Sequence, residues 1–290
     1  MCPGCGGTAG ATIFALPAGA HDVRRCAACG LAFLWPPPSD ATLEALYGSY
    51  YRADNVALHP ITAARYHEIL QRLEADRGPG RLLDVGCGAG QFLEVARARG
   101  WDAEGTEISS SAAPFLEERG ATVHRGELPD IALDPTYDAV TLFEVIEHFR
   151  RPQAYLEAAR RLLRPGGWLY LTTPNFDGLS RRLLGERWRV MAPEHLAYYS
   201  PRTLRRALAR AGFVDVGVRS KNLDVVDLSH KLFSKSGPPA GHSNIVETTS
   251  LREKMEGRAG LSWAKAIANR VLAVSGTGDT LEAYARGGAR

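Results

Sequence analysis

Four cysteines in two close pairs are the residues of this chain with the clearest chemistry. The pairs read Cys2-Pro3-Gly4-Cys5 and Cys26-Ala27-Ala28-Cys29, and a spacer of 20 residues separates them. Zn²⁺ takes four tetrahedral ligands, and thiolates suit it well. A segment this short has little core, so metal binding would supply much of its folding free energy. We predict a structural zinc ribbon with Cys2, Cys5, Cys26 and Cys29 as ligands. A redox dithiol is the alternative.

A glycine-rich turn is the second feature with chemical meaning. It reads Asp84-Val85-Gly86-Cys87-Gly88-Ala89-Gly90 and follows an apolar strand. Its first two glycines permit unusual φ and close approach of a ligand, and Gly90 lets the next helix pack on the sheet. A nicotinamide fingerprint starting at Gly86 would place its last glycine at position 91, which is Gln91. The turn therefore predicts a nucleotide-type cofactor site whose glycine spacing differs from the nicotinamide fingerprint. We interpret Cys87 as a packing residue.

The next acidic strand end is Glu107, in Glu104-Gly105-Thr106-Glu107-Ile108-Ser109. Ligands of open α/β sheets bind at the carboxyl ends of the strands. A carboxylate at this place can accept both hydroxyls of a ribose. The alternative for Glu107 is a solvated acid that caps a helix.

Apolar strands alternate with helical segments from residue 81 onward, and this order defines the fold class. We expect strands at 82–85, 103–107, 121–124, 138–143, 168–172, 213–218 and 280–285. We expect helices from Ser39 or Asp40 through Tyr51, and at 61–76, 91–99, 109–119, 152–163, 201–211 and 263–274. The alternation predicts an α/β protein with a doubly wound, mostly parallel, seven-stranded Rossmann-like sheet.

Composition limits the partners of the chain. A length of 290 residues allows one large core or two modest ones, and the net charge of +3 gives no electrostatic case for nucleic acid. Pairs of arginines at helical spacing are interpreted as solvated helix faces. We find no run of eighteen apolar residues and no apolar signal core, so we expect a cytoplasmic protein without a membrane partner.

Several motifs in order resemble class I S-adenosylmethionine-dependent methyltransferases. They are the turn at 83–90, Glu107, the segment 137–148, and Leu163-Arg164-Pro165-Gly166-Gly167 before a strand. The resemblance spans about residues 80–219. Glu144-Val145-Ile146-Glu147-His148 and Pro193-Glu194-His195-Leu196 are also similar to the branch that includes ubiquinone-pathway, natural-product and sugar methyltransferases.

This resemblance implies a set of contacts to S-adenosylmethionine. Gly86, Gly88 and Gly90 would line the methionine part, and Asp84 would order that pocket. Glu107 and Ile108 would lie at the ribose, Glu127 and Leu128 at the adenine, and Phe143 and Glu144 beside the sulfonium. Tyr50 and Tyr51 would fold over the methionine carboxylate as a lid, or else pack in the core.

Methyl transfer to a hydroxyl needs positioning of the acceptor and removal of its proton. His195 and His148 are the candidate bases because imidazole titrates near neutral pH, although either could be structural. Glu144 is a further catalytic candidate. Glu144, Glu147, His148 and His195 could instead hold a divalent metal, with the two glutamates on one face if that segment is helical. Trp188, Arg189, Met191 and Tyr198 would shape the acceptor pocket or pack in the core.

We expect three parts in the chain: a zinc-ribbon module at 1–36, a helical lid or linker at 37–80, and a methyltransferase domain at 81–290. Residues 222–275 would form a helical or looped insertion over the acceptor site. The expected function is O-methylation of a small-molecule acceptor in secondary-metabolite, quinone or sugar biosynthesis. The alternatives are an RNA or protein methyltransferase that docks its substrate through the ribbon, and a cofactor-binding scaffold without catalysis. A homodimer is left open.

Overall fold

The computed structural model describes residues 1–8, 10–16, 21–48, 50–52, 56–134, 136–223, 272 and 274–288. Most of the expected helix at 263–274, and nearly all of the expected insertion at 222–275, lie outside these residues. Within the described residues, no helix is both long and apolar enough to cross a membrane.

Seven strands form the central sheet. They are β4 (Arg81–Val85), β5 (Asp102–Glu107), β6 (Thr122–Arg125), β7 (Tyr137–Phe143), β8 (Leu163–Pro174), β10 (Phe213–Lys221) and β11 (Thr280–Gly287). Their spatial order is β10-β11-β8-β7-β4-β5-β6. The strands β4 to β8 pair in parallel, whereas β11 runs antiparallel to both β8 and β10. This arrangement confirms the doubly wound, mostly parallel, seven-stranded sheet.

The strand order reverses between β4 and β7, which places a crevice at their carboxyl ends. Leu82 and Leu83 of β4 and Val140 of β7 have no exposed surface, because helices cover both faces of the sheet. The glycine turn follows β4, Glu107 is the last residue of β5, and the Glu144–His148 segment follows β7. All these candidate residues therefore lie at one edge of the sheet, where open α/β proteins bind ligands.

Seven helices surround the sheet among the described residues. They are α1 (Asp40–Tyr47), α2 (Pro60–Glu74), α3 (Gln91–Ala98), α4 (Ala113–Glu118), α5 (Pro152–Leu162), α6 (Leu179–Leu184) and α7 (Pro201–Arg210). The Ser200 hydroxyl caps α7 by accepting the Thr203 N–H at 3.2 Å, with Pro201 at the first helical position. The expected helix at 109–119 is instead a 3₁₀ turn at Ser110–Ala112 followed by α4. Pro114 has no N–H to donate, so it cannot extend an α-helical ladder back to residue 110.

A second, smaller sheet contains the N-terminal strands. It is formed by β1 (Thr12–Ala15), β2 (Asp22–Arg25), β3 (Ala32–Trp35) and β9 (Ala197–Tyr198), in that order and all antiparallel. The sequence motifs did not indicate β9, which comes from the loop after β8. The first three strands thus pair with a segment that also carries His195.

Candidate active site

The glycine turn after β4 has the backbone conformation that its sequence predicts. Gly86, Gly88 and Gly90 have φ of 68°, 56° and 79°, values at which a side chain is strained. A Cβ at Gly88 would lie 2.7 Å from the Tyr51 hydroxyl oxygen. The turn can therefore bring its backbone close to a ligand only with glycine at this position.

Glu107 lies against this turn and is buried. Its Oε2 accepts the Gly88 N–H at 2.9 Å, and its Oε1 accepts the N–H groups of Ile108 and Ser109 at 2.8 and 2.7 Å. Burial raises the pKa of Glu107, while these backbone donors favour its charged form. A carboxylate has about four acceptor positions, so roughly one remains for a ribose hydroxyl unless a backbone bond opens.

Asp84 lies beneath the turn and is 3 % exposed. Its Oδ1 accepts the Thr141 hydroxyl at 2.6 Å, which links β4 to β7 at the switch point. Burial, reinforced by the nearby Glu107, raises the pKa of Asp84 to about 7, although the Thr141 bond opposes the shift. The contacts of Asp84 are those of a residue that orders the pocket.

Tyr50 and Tyr51 lie beside the glycine turn. Their rings are 5.0 Å apart in an edge-to-face arrangement, and the Tyr51 N–H donates to the Ser111 hydroxyl at 3.2 Å. Ser111 in turn donates to the carbonyl of Tyr47 at 3.1 Å. These bonds hold the segment after α1 against the turn after β5. A lid over the glycine turn would have to occupy this position.

The remaining predicted cofactor residues have different surroundings. The Phe143 ring packs 4.6 Å from the ring of Phe92 and 5.2 Å from that of Tyr170. Leu128 is 2 % exposed and belongs to the main core. The Glu127 carboxylate accepts the Arg151 guanidinium at 2.9 Å on the surface. Their roles at the sulfonium and the adenine stay predictions.

The two candidate bases lie side by side. The rings of His148 and His195 are 4.6 Å apart. The Nδ1 of His195 is 2.7 Å from the Val190 carbonyl, and the Nδ1 of His148 is 3.0 Å from the Glu194 carbonyl. A carbonyl only accepts, so each Nδ1 carries the proton and each Nε2 keeps a lone pair. Burial lowers the pKa of His195 and, more strongly, of His148, so both rings are neutral at pH 7.

Glu147 adjoins the histidines, whereas Glu144 does not. One ligand atom from each of Glu147, His148 and His195 lies within 4.8 Å of the other two. Glu147 is 2 % exposed; Thr173 donates to its Oε2 at 2.8 Å, and its Oε1 has no partner among the residues that the structure describes. Burial, together with the Glu144 charge, raises the pKa of Glu147 well above its usual range.

Glu144 and Glu147 do not lie on one helix, which was the condition for their sharing a face. Glu144 has a φ of 49° and an exposed side chain, and it precedes the 3₁₀ turn at Ile146–His148. Three of the four expected metal ligands therefore come together, without Glu144.

The four cysteines of the N-terminal pairs form a compact cluster. Their sulfur atoms all lie within 4.8 Å of one another, with 3.6 Å between Cys2 and Cys29 and 3.5 Å between Cys5 and Cys26. A tetrahedron with metal–sulfur bonds of about 2.3 Å has edges of about 3.8 Å. Burial acts to raise the pKa of Cys26, but backbone N–H groups and the neighbouring thiols lower it to about 7. The thiol set fits a tetrahedral zinc ion.

The structure adds contacts that no motif indicated. The Tyr47 hydroxyl lies 3.2 Å from the Nδ1 of His148 and links α1 to the acceptor side. Trp188 and Tyr198 are each 3 % exposed and pack with Phe176, so they serve as core rather than pocket rim. The sequence did not reveal the Tyr47 contact or strand β9, because a lone tyrosine and a two-residue strand carry no periodic signal.

Comparison with known proteins agrees with this site. The family model described as "Methyltransferase domain" matches residues 59–218. A ubiquinone biosynthesis O-methyltransferase of Paraburkholderia xenovorans is 34 % identical over 180 residues, covering 59 % of this chain and 74 % of that protein.

Two solved structures share the fold. An S-adenosylmethionine-dependent methyltransferase of Archaeoglobus fulgidus is 19 % identical with a TM-score of 0.53, covering 78 % of this chain and 93 % of its own. The phosphoethanolamine N-methyltransferase 2 of Haemonchus contortus, solved with S-adenosylmethionine, is 16 % identical with a TM-score of 0.52, covering 86 % and 57 %. With the matched domain covering most of the sheet and its crevice, the chain belongs to the methyltransferase-domain family and is an S-adenosylmethionine-dependent methyltransferase.

Proposed function

We propose that the chain methylates a hydroxyl oxygen of a small-molecule acceptor, with His195 as general base. The observation that carries this proposal is the state of His195: a neutral imidazole whose Nδ1 is held by Val190 and whose Nε2 is free to accept a proton. The similarity to a ubiquinone biosynthesis O-methyltransferase supports oxygen as the methylated atom.

S-adenosylmethionine, when bound, supplies an electrophilic methyl group on a sulfonium. In the proposal, Gly86–Gly90 and Glu107 hold the cofactor at β4 and β5. The hydroxyl of the acceptor gives its proton to Nε2 of His195, and its oxygen becomes the nucleophile. His148 lies beside this base, and its own Nδ1 contacts fix the position of its ring.

A divalent metal at Glu147, His148 and His195 is a second candidate for activating the hydroxyl. The specific observation is the buried, unpartnered Oε1 of Glu147, because an orphaned buried oxygen is costly unless a ligand satisfies it. Two imidazoles and one carboxylate are a ligand set that first-row transition metals accept. Addition of Mn²⁺ or Fe²⁺ to metal-free buffer would then raise turnover, whereas base catalysis alone predicts no change.

We also propose that Cys2, Cys5, Cys26 and Cys29 bind one structural zinc ion. The support is the cluster of thiols at tetrahedral spacing. Strand β9 covers the free edge of β3, and Arg206 of α7 donates to the Cys29 carbonyl at 3.3 Å.

The experiment is transfer of an isotopically labelled methyl group from S-adenosylmethionine to a panel of catechols, phenols, sugars and amines, read by mass spectrometry. The proposal expects the label on a hydroxyl oxygen, together with an equal amount of S-adenosylhomocysteine. Label found only on nitrogen or on RNA would contradict the proposal. Tight cofactor binding without transfer to any partner would favour the scaffold alternative.

A further inference from the structure

The cysteine module is built into the wall that carries His195. We infer that this module positions the acceptor-side segment 190–199, so that metal occupancy of the four cysteines controls the geometry of the histidine pair. The inference rests on the proposed zinc site and on the proposed role of His195. It makes the module a positioning element of the methyltransferase, not a separate docking domain.

Backbone hydrogen bonds make the first connection. The Leu34 N–H of β3 donates to the Leu196 carbonyl at 3.0 Å, and Phe33 and Ala32 pair with Ala197 and Tyr198. On its other side, the Leu196 N–H donates to the Glu147 carbonyl at 2.8 Å. One peptide segment is therefore held between the module and the turn that carries Glu147 and His148.

Side-chain packing makes the second connection. Val23, Ala32 and Leu34 of the module form one buried cluster with Phe176, Trp188 and Tyr198 of the main domain. Val190 packs against this cluster, and its carbonyl is the group that holds Nδ1 of His195. The module thus supports the His195 segment at both ends, through Val190 before it and Leu196 after it.

The metal would tie together two turns that the strands leave open. The cysteines lie at residues 2–5, before β1, and at 26–29, between β2 and β3, and the three strands have four residues each. Cys2 and Cys26 are 2 % and 1 % exposed and pack in the core with Tyr199 and Leu204. Without metal, both turns lose the bond that closes them, and the start of β3 loses a restraint.

The cofactor half of the crevice is held independently. Gly88 and Glu107 bond to each other, and the Cys87 N–H donates to the Thr106 carbonyl at 3.0 Å. These bonds join β4 to β5 on the other side of the switch point. Loss of the metal should therefore loosen residues 190–199 and leave the cofactor turn in place.

The test is amide hydrogen exchange of the full chain, loaded with one equivalent of Zn²⁺ and then stripped by a chelator, alongside calorimetry with S-adenosylmethionine. We expect exchange of the Met191, His195 and Leu196 amides to rise by about tenfold or more on metal removal. Cofactor affinity should stay within about twofold, as for independent sites. Re-addition of Zn²⁺ should restore the protection. None of these readouts needs an acceptor.

Two valine variants separate positioning from general destabilisation. Val23→Ala removes side-chain contacts from the shared buried cluster but leaves all four thiols. This variant should therefore bind one zinc and still show faster amide exchange at 190–196. Val95→Ala removes the same atoms from a buried valine of α3 on the cofactor side and should leave those amides unchanged.

Three results would overturn the inference. Unchanged exchange at 190–199 with zinc removed would show that the segment does not need the module. Parallel loss of cofactor affinity would show that the module supports the whole domain. A chain that binds no zinc would remove the proposed metal site and this inference together. If His195 is not the base, the exchange results are unaffected, and only the kinetics of His195 variants would reveal it.

Discussion

At the scale of single residues, the site depends on carboxylates and imidazoles whose hydrogen-bond partners are backbone groups. Glu107 accepts three backbone N–H groups, and both histidines are held by backbone carbonyls. Such partners do not rotate away, so the side chains are preorganised for a ligand. Substitutions at these positions should change function more than folding.

Replacing Glu107 with alanine should weaken S-adenosylmethionine binding by roughly 1.5–3 kcal/mol, the scale of hydrogen bonds to a charged group. Isothermal titration calorimetry measures the change. Asp102→Ala is the matched control, because Asp102 lies on the same strand with a side chain that is 78 % exposed. Wild-type affinity in Glu107→Ala would remove the ribose assignment, and tight binding of NADH would contradict S-adenosylmethionine as the cofactor.

Gly88→Ala should also lower cofactor affinity, by roughly tenfold or about 1.4 kcal/mol. The new Cβ would meet the Tyr51 hydroxyl in the space that the turn keeps open. Gly120→Ala is a close control, since Gly120 has a φ of 57° against 56° for Gly88 and nothing within 4 Å of its Cβ position. Both variants should lose about 1–2 kcal/mol of unfolding free energy to backbone strain. Equal cofactor affinity in the two would disprove the close approach.

At the scale of elements, the chain combines one sheet that carries the glycine turn and Glu107 with a second sheet that borders His195. The strand order places the carboxyl ends of β4, β5 and β7 together. The short strand β9 then ties the loop after β8 to the N-terminal strands. The acceptor side is therefore assembled from sequence-distant parts, and the cofactor side from adjacent ones.

The N-terminal element should carry one zinc ion per chain, as measured by elemental analysis of the purified protein. Cys26→Ser should lose the metal, because three thiolates and a hydroxyl bind zinc far more weakly than four thiolates. Far-UV circular dichroism should still show the sheet of residues 81–219. Zinc absent from the wild type, or unchanged in Cys26→Ser, would contradict the ribbon assignment.

At the scale of the whole molecule, local sequence signals predicted the sheet and the conformation of its glycine turn well. The glycine spacing and Glu107 are read from short segments, and the α/β alternation alone brings their strand ends together. The acceptor side depends on long-range pairing. Nothing in the sequence shows that Leu34 bonds to Leu196 or that Tyr47 reaches His148. Nor does it show that Glu144 has a positive φ and lies outside the cluster of possible metal ligands.

The same contrast explains one wrong helix and one alternative that the sequence left open. The prediction of one helix at 109–119 was wrong because Pro114 changes where the ladder of α-helical hydrogen bonds can begin. The aromatic side chains of Trp188 and Tyr198 pack inside because the N-terminal strands cover them, which is a property of the tertiary fold. Periodicity describes one element at a time and contains no information on such contacts.

The most direct test of the account is the pH–rate profile of His195→Ala beside those of wild type and His148→Ala, with an acceptor that the wild type methylates. We predict that His195→Ala lowers kcat by roughly 10²–10⁴-fold with little change in cofactor affinity. Since burial lowers the pKa of His195, wild-type kcat/KM should fall only as pH drops below about 6.5, and the variant should lack this acidic limb. Full activity of His195→Ala with loss in His148→Ala would move the base to His148, and full activity of both would contradict base-assisted O-methylation.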